Sequence, residues 1–414
     1  MSASVRLTVH RSTQEIGGNC IEIATDGGRI ILDVGRPLDV PNDAVGLLPK
    51  TLDLAGRADG ILISHPHQDH YGLLAETPAD WPVFCGAATE KLIRMTSGIF
   101  GKPTVHDFHS WRSGQSFSVG PFAVTPYLTD HSAFDAYMLL IEVCGKRVLY
   151  SGDFRTHGRK GALVQRFMAA PPSNIDVLLM EGTNLGSDKP TISEMALEAD
   201  FIALFRTTPG RVFVSWSAQN IDRTVTLYRA CLQAGRTLVV DLYTAEVLDL
   251  LRDHGRLPQP GWENLKVVVT GAFARMYRKT GRGDFVERMA RNGIAARKLV
   301  ETPSRWVAMI RPSLRRDYER QGVAPTHDDA WSWSMWGGYL KNDAGSEVRS
   351  WFDAGGARAV HIHTSGHASP DDLRAFAGNI RAKCLVPIHG NSWDTEAAGF
   401  PSVRRLGDGE VLVI

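Results

Sequence analysis

The sequence predicts an α/β protein of two domains, one of which is inserted into the other. Short apolar strands followed by histidine and carboxylate residues occur both before about residue 190 and after about residue 355. Between these two parts, strands alternate with helices, as is typical of a parallel sheet with flanking helices. The length of 414 residues also exceeds what one ordinary core contains. We therefore expect a first domain in two parts, 1–190 and 355–414, around an inserted domain, 191–354.

The first part of the chain consists of short apolar runs that end near glycine, aspartate or proline. Polar residues repeatedly come just after these runs, which suits an active site on loops held by a rigid sheet. The predicted strands are 29–34, 60–64, 122–127, 146–151 and 176–180.

The middle of the chain alternates between helical and strand-like segments. The predicted helices are 193–206, 223–234 and 245–251, and the predicted strands are 211–216, 237–241 and 266–270. After residue 355, the predicted strands 359–363 and 384–388 each end in histidine. Because strands followed by histidine occur again after residue 355, the middle segment is interpreted as an insertion.

Composition restricts the class of protein. A formal net charge of +1 gives no support for a globally basic nucleic-acid binder, so any basic groove must be local. The five cysteines are far apart and form no C-x-x-C pair, which favours a reducing compartment over a disulfide framework. With no signal peptide and no run long enough to cross a membrane, we expect a cytoplasmic protein without a membrane partner.

The strongest chemical signal is a run of three histidines and one aspartate within six positions, directly after an apolar strand. These residues are His65, His67, Asp69 and His70. Imidazole and carboxylate groups are ligands for zinc and related divalent ions. One short run cannot easily complete two coordination spheres, so we expect further ligands from other strand ends.

Three later residues are candidates for those further ligands. His131, Asp153 and His389 each follow a predicted strand. Taken alone, His131 could be a loop histidine, Asp153 a turn or cap residue, and His389 a satisfied buried histidine. Their order after the first cluster favours a shared metal site.

The order of these residues resembles the metallo-β-lactamase superfamily: an early aspartate, Asp33, then H-x-H-x-D-H, a lone histidine, an aspartate and a final histidine. The resemblance implies an αββα sandwich with the site at one edge. It implies that His65, His67 and His131 hold one metal ion, that Asp69, His70 and His389 hold the other, and that Asp153 bridges them. It also implies that Asp33 orients the ligand loop, although a strand-end cap explains Asp33 equally well.

Further motifs resemble the β-CASP nucleases, and RNase J-type ribonucleases in particular. Glu181 in MEGTN looks like their first additional motif, His367 in HTSGHA like the second and His389 like the third. The middle α/β segment matches the inserted β-CASP domain in position and approximate size. In this family a histidine at the third motif accompanies RNA-processing members, so the resemblance points to single-stranded RNA as the partner.

The resemblance also implies a mechanism and a set of roles. Two divalent ions, zinc first and manganese or magnesium as alternatives, would supply a bridging hydroxide as nucleophile. Asp69, His367 and Glu181 would be catalytic, with His367 as general acid or phosphate-stabilising donor. His363, Ser365 and His367, together with Ser217 and Asn220, would contact substrate; a buried strand-end position for His363 and a helix cap at Asn220 are the alternatives.

The sequence departs from RNase J proteins in two features, and it leaves two alternatives to the leading function. The chain ends soon after the last motif, where those proteins usually continue into a further domain, and the usual Gly-rich stretch of the inserted domain is replaced by a Trp-rich one. A homodimer is therefore left open.

The leading function is a metal-dependent ribonuclease, exonucleolytic or endonucleolytic. A small-molecule metallohydrolase of the same fold and a non-catalytic RNA-binding protein are the alternatives.

Two segments of the middle domain carry alternatives of their own. Trp331, Trp333 and Trp336 suit either stacking on the bases of a single strand or packing in a core or oligomer interface. The many Arg and Lys residues between 271 and 322 suit either a basic surface or ordinary solvated helix faces.

Overall fold

A computed structural model describes residues 4–41 and 43–414. The described residues form nineteen strands, twelve α-helices and five short 3-10 helices. The strands are β1 (Arg6–Arg11), β2 (Cys20–Thr25), β3 (Gly28–Val34), β4 (Gly60–Leu62), β5 (Val83–Gly86), β6 (Phe108–Trp111), β7 (Phe117–Val119), β8 (Phe122–Leu128), β9 (Tyr137–Val143), β10 (Lys146–Tyr150), β11 (Val177–Met180), β12 (Val212–Ser215), β13 (Thr237–Val240), β14 (Leu265–Val267), β15 (Trp306–Met309), β16 (Ala330–Trp333), β17 (Arg358–Val360), β18 (Cys384–Pro387) and β19 (Val411–Val413). The helices are α1 (Gln68–Tyr71), α2 (Ala87–Ile99), α3 (Gly161–Ala169), α4 (Glu194–Thr207), α5 (Ile221–Ala234), α6 (Leu242–Leu250), α7 (Gly271–Lys279), α8 (Gly283–Arg291), α9 (Pro312–Arg320), α10 (Asp343–Ala354), α11 (Pro370–Ile380) and α12 (Trp393–Glu396).

The chain divides into two compact units. The first contains the described residues up to Pro190 together with Gly366–Ile414, and the second is Thr191–Ser365. The division after residue 365 differs from the expected boundary after residue 354. The reason is β17, which pairs in parallel with β16 of the second unit, so the segment through residue 365 stays with the inserted sheet.

The first unit is a four-layer αββα sandwich. A seven-stranded sheet, β19-β1-β2-β3-β4-β5-β6, lies against a six-stranded sheet, β18-β11-β10-β9-β8-β7. Apolar side chains from both sheets, including Leu7 and Ile30 from one and Phe122 and Val148 from the other, fill the interface between them. Helix α2 packs outside the first sheet, and α3 and α11 pack outside the second. The fold expected from the sequence is confirmed.

The site edge follows from strand direction in the second sheet. Strands β10, β11 and β18 are mutually parallel neighbours, and β8 runs in the same direction because β9 is antiparallel to both β8 and β10. The carboxyl ends of these four strands therefore meet at one edge. The predicted ligands follow the strands there: His131 after β8, Asp153 after β10 and His389 after β18.

The second unit contains one parallel sheet in the order β14-β13-β15-β12-β16-β17. Every strand pair in it is parallel, which confirms the arrangement expected from the strand and helix alternation. In the Arg- and Lys-rich segment of this unit, Arg278 pairs with Glu287 at 2.7 Å and Arg288 with Asp249 at 2.6 Å. These pairs favour solvated, ion-paired helix faces over a bare basic surface.

Within the described residues, no helix combines the length and apolar character needed to cross a membrane.

The tryptophans of the second unit have different environments. Trp331 and Trp333 are buried in β16, and the Trp331 ring stacks on Phe352 with centroids 4.8 Å apart. Trp336 is 58% exposed. Core packing therefore explains the first two residues, and stacking on a base remains open for Trp336 alone.

We expect Trp331→Ala to lower the free energy of unfolding by about 3–5 kcal/mol, because it leaves a cavity beside Phe352. Trp336→Ala should change that free energy by less than about 0.5 kcal/mol, since the ring is largely in water. Urea denaturation followed by circular dichroism measures both. Equal losses in the two variants would contradict the assigned burial.

Candidate metal centre

Two groups of side chains in the first unit share no residue and could each hold a metal ion, and a third possible group, His131, Asp153 and His367, overlaps both. The first is His65, His67 and His131, and the second is Asp69, His70, Asp153 and His389; within each group the ligand atoms lie within 4.8 Å of one another. The structure thus brings together all seven residues that the sequence predicts as ligands. Histidine and carboxylate groups in this number suit divalent ions.

The ligand loop 65–70 is fixed by the end of β3. Gly35 N donates to Asn19 O at 2.8 Å, and Asn19 N donates to Asp69 O at 3.1 Å. A Cβ atom at Gly35 would lie 1.7 Å from Asp69 O, so only glycine allows this approach. The loop therefore sits directly on the strand that carries Asp33.

The first group is a cluster of neutral imidazoles. His67 Nδ1 lies 3.2 Å from His65 Nε2 and 3.1 Å from His131 Nε2. Burial lowers the pKa of His67 to about 4 and that of His65 and His131 well below the usual value, with the neighbouring imidazoles adding to the effect for the latter two. At neutral pH all three rings thus keep a lone pair for a metal ion.

The second group is richer in charge. Burial disfavours a charged His70, but Asp153, Asp33 and Asp69 outweigh it and raise the pKa of His70 well above its usual range. Asp153 is likewise buried, yet His389, His70 and His367 hold its pKa well below the usual value. The carboxylate of Asp153 is therefore ionised, and its negative charge suits a cation.

Asp153 lies between the two groups. Its Oδ2 atom is 3.7 Å from His65 Nε2, 4.0 Å from His131 Nε2 and 3.1 Å from His70 Nε2. Its Oδ1 atom is 3.6 Å from His389 Nδ1. One carboxylate thus reaches both sets of imidazoles.

The site also contains buried polar atoms that a cation would satisfy. Asp153 Oδ1 and His389 Nε2 are buried without a hydrogen-bond partner among the described residues. Such atoms normally carry a large free-energy penalty. Coordination of an ion by the second group would remove the penalty at both, so the residues present fit a bound metal.

His389 adopts a backbone conformation that supports the same interpretation. Its φ angle is 47°, in the left-handed region that side-chain-bearing residues rarely occupy. The conformation is held by hydrogen bonds from His389 N to Ser12 O at 2.8 Å and from Gly182 N to His389 O at 3.1 Å. Strain maintained in this way is common at functional sites.

His367 and Glu181 form a pair beside the two groups. His367 Nδ1 lies 2.9 Å from Glu181 Oε2 and 3.8 Å from Asp153 Oδ2. Although burial disfavours the imidazolium, Glu181 and Asp153 raise the pKa of His367 to about 9. The Glu181 side chain is fully buried, whereas that of His367 is 20% exposed, so His367 is the member of the pair that faces solvent.

His367 is held by contacts on both sides of it in the chain. Gly366 O lies 2.6 Å from His131 Nδ1, and Ala368 N donates to Phe154 O at 2.6 Å. Glu181 Oε1 in turn accepts from Phe154 N at 2.9 Å. The imidazole is thus placed by the same loops that carry His131 and Asp153.

Asp33 lies behind the ligands. Its carboxylate accepts hydrogen bonds from Ser64 N at 2.7 Å and from His70 Nδ1 at 2.7 Å. It therefore binds both the strand end, as a cap would, and a residue of the second group.

The predicted substrate contacts outside this centre lie in the second unit. Ser217 is exposed, and the Asn220 side chain accepts from Arg223 N at 3.0 Å as the cap of α5. His363 is partly buried, three residues past the end of β17, and burial, followed by Arg223 and His361, lowers its pKa to about 3. Ser365 is the last residue of the unit and partly exposed. Contact of these residues with a substrate stays a prediction.

Two buried features of the site have no clear sequence signal. Asn19 and Tyr150 contact the residues behind the second group. Asp130 and Arg155, both fully buried, pair at 3.3 Å beside His131 and Asp153. Tyr150 is part of an apolar strand and Asn19 follows a glycine turn, so neither stands out from its neighbours in the sequence.

Comparison with known proteins agrees with this architecture. Residues 39–215 match the family model described as a beta-lactamase superfamily domain. Proteins named ribonuclease J are similar over most of the chain: that of Helicobacter pylori strain 26695 is 24% identical over 94% of this chain and 56% of its own length, and that of Mycobacterium tuberculosis strain H37Rv is 24% identical over 94% and 69%. The chain thus spans about half the length of the first of these relatives.

A solved structure supports the fold. A protein of unknown function from Enterococcus faecalis V583 superposes with a TM-score of 0.77 at 20% identity, over 99% of this chain and all of that one. The likeness covers both units, since it extends over almost the entire chain.

Proposed function

We propose that this chain, whose residues 39–215 match a beta-lactamase superfamily domain, is a metal-dependent ribonuclease that hydrolyses phosphodiester bonds of single-stranded RNA. The observation that carries this proposal is the His367–Glu181 pair next to two metal-binding groups. A metal centre alone suits many hydrolases, whereas a positioned proton donor beside it suits the departure of an alkoxide from phosphorus. The similarity to proteins named ribonuclease J supports RNA as the substrate.

The metal ligands are proposed in two sets that share one residue. His65, His67 and His131 would hold one ion, Asp69, His70 and His389 the other, and Asp153 both. When bound, two divalent ions supply an activated water and positive charge for the phosphoryl oxygens. Zinc is the ion we expect first from the histidine content, with manganese and magnesium as alternatives.

His367 is proposed as the proton donor to the leaving oxygen. Glu181 accepts from its Nδ1 atom at 2.9 Å, and the side chain is 20% exposed, so we assign the Nε2 proton to the leaving oxygen. The buried Glu181 carboxylate favours the protonated imidazole and, against the effect of burial, helps to raise the pKa of His367 to about 9. Donation from Nε2 would neutralise the alkoxide as the phosphorus–oxygen bond breaks.

Asp69 is the partly exposed carboxylate of the site. Its side chain is 15% exposed, and its Oδ2 atom lies 3.8 Å from both His70 Nε2 and His389 Nε2. We assign it as a ligand that also orients the attacking water by accepting a hydrogen bond.

We propose that the RNA backbone is contacted by His363, Ser365, Ser217 and Asn220. A cytoplasmic location and a homodimer remain predictions.

A timed digest of one RNA tests the proposal. The RNA is labelled at either end, carries a 5′ monophosphate, triphosphate or hydroxyl, and is incubated with zinc-, manganese- or magnesium-loaded protein. We expect cleavage by the wild-type chain and none by Asp69→Ala of equal circular dichroism. The pattern of fragments then separates exonuclease from endonuclease activity.

Two results would argue against the ribonuclease. Fully metal-loaded protein that leaves every RNA intact would contradict a ribonuclease. Hydrolysis of a lactone, thioester or cyclic phosphodiester by the same preparation would then support the small-molecule hydrolase.

A further inference from the structure

A chain of buried hydrogen bonds joins two histidines of the second group behind the site. It runs from His389 through Asn19, Tyr150 and Asp33 to His70, and all five side chains are fully buried. His389 Nδ1 lies 2.9 Å from Asn19 Oδ1, Asn19 Nδ2 lies 3.0 Å from the Tyr150 hydroxyl, and that hydroxyl lies 2.5 Å from Asp33 Oδ2. Asp33 Oδ2 lies 2.7 Å from His70 Nδ1.

We propose that Asn19 and Tyr150 are positioning residues that hold His70 and His389 with Nδ1 protonated and Nε2 directed at one metal ion. The proposal rests on the ligand assignment made above, and it adds two residues that neither the sequence motifs nor the comparisons single out.

The direction of each hydrogen bond follows from the groups involved. The Asp33 carboxylate oxygen is the acceptor in this arrangement, so both the Tyr150 hydroxyl and the His70 Nδ1–H donate to it. The Tyr150 oxygen has then used its proton and accepts from the Asn19 amide. The amide carbonyl of Asn19 is left facing His389, so His389 Nδ1–H donates to it.

This polarity leaves the same nitrogen available on both rings. With Nδ1 held by a hydrogen-bond acceptor, Nε2 is the nitrogen of each ring through which a metal ion would bind. His389 Nε2 is buried without a hydrogen-bond partner among the described residues, and His70 Nε2 lies 3.1 Å from Asp153 Oδ2. Both nitrogens therefore point into the second group rather than into the core.

The backbone of Asn19 ties a third ligand to the same arrangement. Its N–H donates to Asp69 O at 3.1 Å, and its carbonyl accepts from Gly35 N at 2.8 Å. Asn19 is thus in contact with His389 through its side chain and with the Asp69 loop through its main chain. Its position is set by Gly17 and Gly18, whose φ angles of 82° and 70° are in the left-handed region.

The chemistry of the chain explains why these two residue types occur here. Position 19 needs one side chain that accepts from an imidazole and donates to a hydroxyl, which an amide provides and a carboxylate does not. Position 150 needs an acceptor and a donor at the end of a long, otherwise apolar side chain within a core strand. Phenylalanine fills the same space but interrupts the chain of hydrogen bonds.

The test measures metal binding in Tyr150→Phe and in Asn19→Ala without RNA present. Cobalt(II) is titrated into metal-free protein, and binding is followed by calorimetry and by the ligand-field absorption of each site. Residues that orient ligands from behind typically change metal affinity by about 10–100-fold when removed. We expect a loss of that size for one of two ions in both variants, with the other ion bound as in the wild type.

Tyr137→Phe is the matched control. Tyr137 is buried in β9, the neighbouring strand of the same sheet, and its hydroxyl donates at 2.9 Å to Asp135 Oδ1, which belongs to neither metal group. It should bind both cobalt ions with wild-type affinity. Circular dichroism and the thermal midpoint identify any variant that does not fold. If Tyr150→Phe does not fold, Asn19→Ala alone tests the proposal.

Folded Tyr150→Phe and Asn19→Ala proteins that bind both ions as tightly as the wild type would overturn the proposal. An equal loss in Tyr137→Phe would also overturn it, because the effect would then be that of any missing buried hydroxyl. A wild-type chain that binds fewer than two ions would remove its premise. A chain that binds two ions and shows the selective loss but cleaves no RNA would overturn only the proposed ribonuclease activity.

Discussion

Asp153→Asn is expected to lower kcat/KM for RNA hydrolysis by at least about 10³-fold with the fold retained. Asp153 is the carboxylate that reaches imidazoles of both groups, with its Oδ2 atom 3.1 Å from His70 Nε2 and 3.7 Å from His65 Nε2. An amide of the same size keeps the packing but removes the negative charge. Both proposed ions would then lose the negative charge of their shared ligand.

The measurement is the initial rate of RNA cleavage at saturating metal, with the metal content of each sample determined in parallel. Asp135→Asn is the matched control, because Asp135 is a buried aspartate of the same unit whose carboxylate accepts from Thr89 N and the Tyr137 hydroxyl instead. It should keep activity within a few-fold of the wild type. Wild-type rates in folded Asp153→Asn would contradict the assigned role.

His367→Gln is expected to lower kcat for RNA by about 10²–10⁴-fold, the usual contribution of a positioned general acid. Unlike Asp153→Asn, it should leave the bound metal unchanged, because His367 is not among the seven proposed ligands. The loss should shrink strongly for a phosphodiester with a 4-nitrophenolate leaving group, which departs without protonation.

Comparing the two substrates separates a proton donor from a residue that only shapes the site. Glu181→Gln provides an intermediate case: the ring of His367 keeps a hydrogen-bond partner at 2.9 Å but loses the charge that favours its protonated form. Its effect on RNA cleavage should be smaller than that of His367→Gln. An equal loss on both substrates in His367→Gln would show that the histidine is not the acid.

The site residues that could be predicted from the sequence are histidines and carboxylates that directly follow short apolar strands. Asp153 and His389 each follow a short apolar strand, so strand ends and metal-ligand residue types coincide there. Their convergence could be expected because the parallel strands β10, β11 and β18 end at the same sheet edge.

Other features depend on contacts between distant segments and left little trace in the sequence. Tyr150 belongs to an apolar strand like many others, and its role depends on Asn19, which is 131 positions away in the chain. The expected boundary after residue 354 comes before the division after residue 365 because the predicted strand 359–363 ends in histidine like the strands of the first domain, whereas β17 pairs with β16 of the second unit. The burial of Trp331 likewise depends on Phe352 of the neighbouring helix α10 rather than on the spacing of the tryptophans.

The number of divalent ions bound per chain tests the central claim most directly. Metal-free protein is titrated with zinc or manganese, and bound metal and RNA cleavage are measured on the same samples. The two groups of ligands predict that both quantities rise together and saturate at two ions per chain. Full cleavage activity with one ion, or with none, would contradict a two-metal ribonuclease.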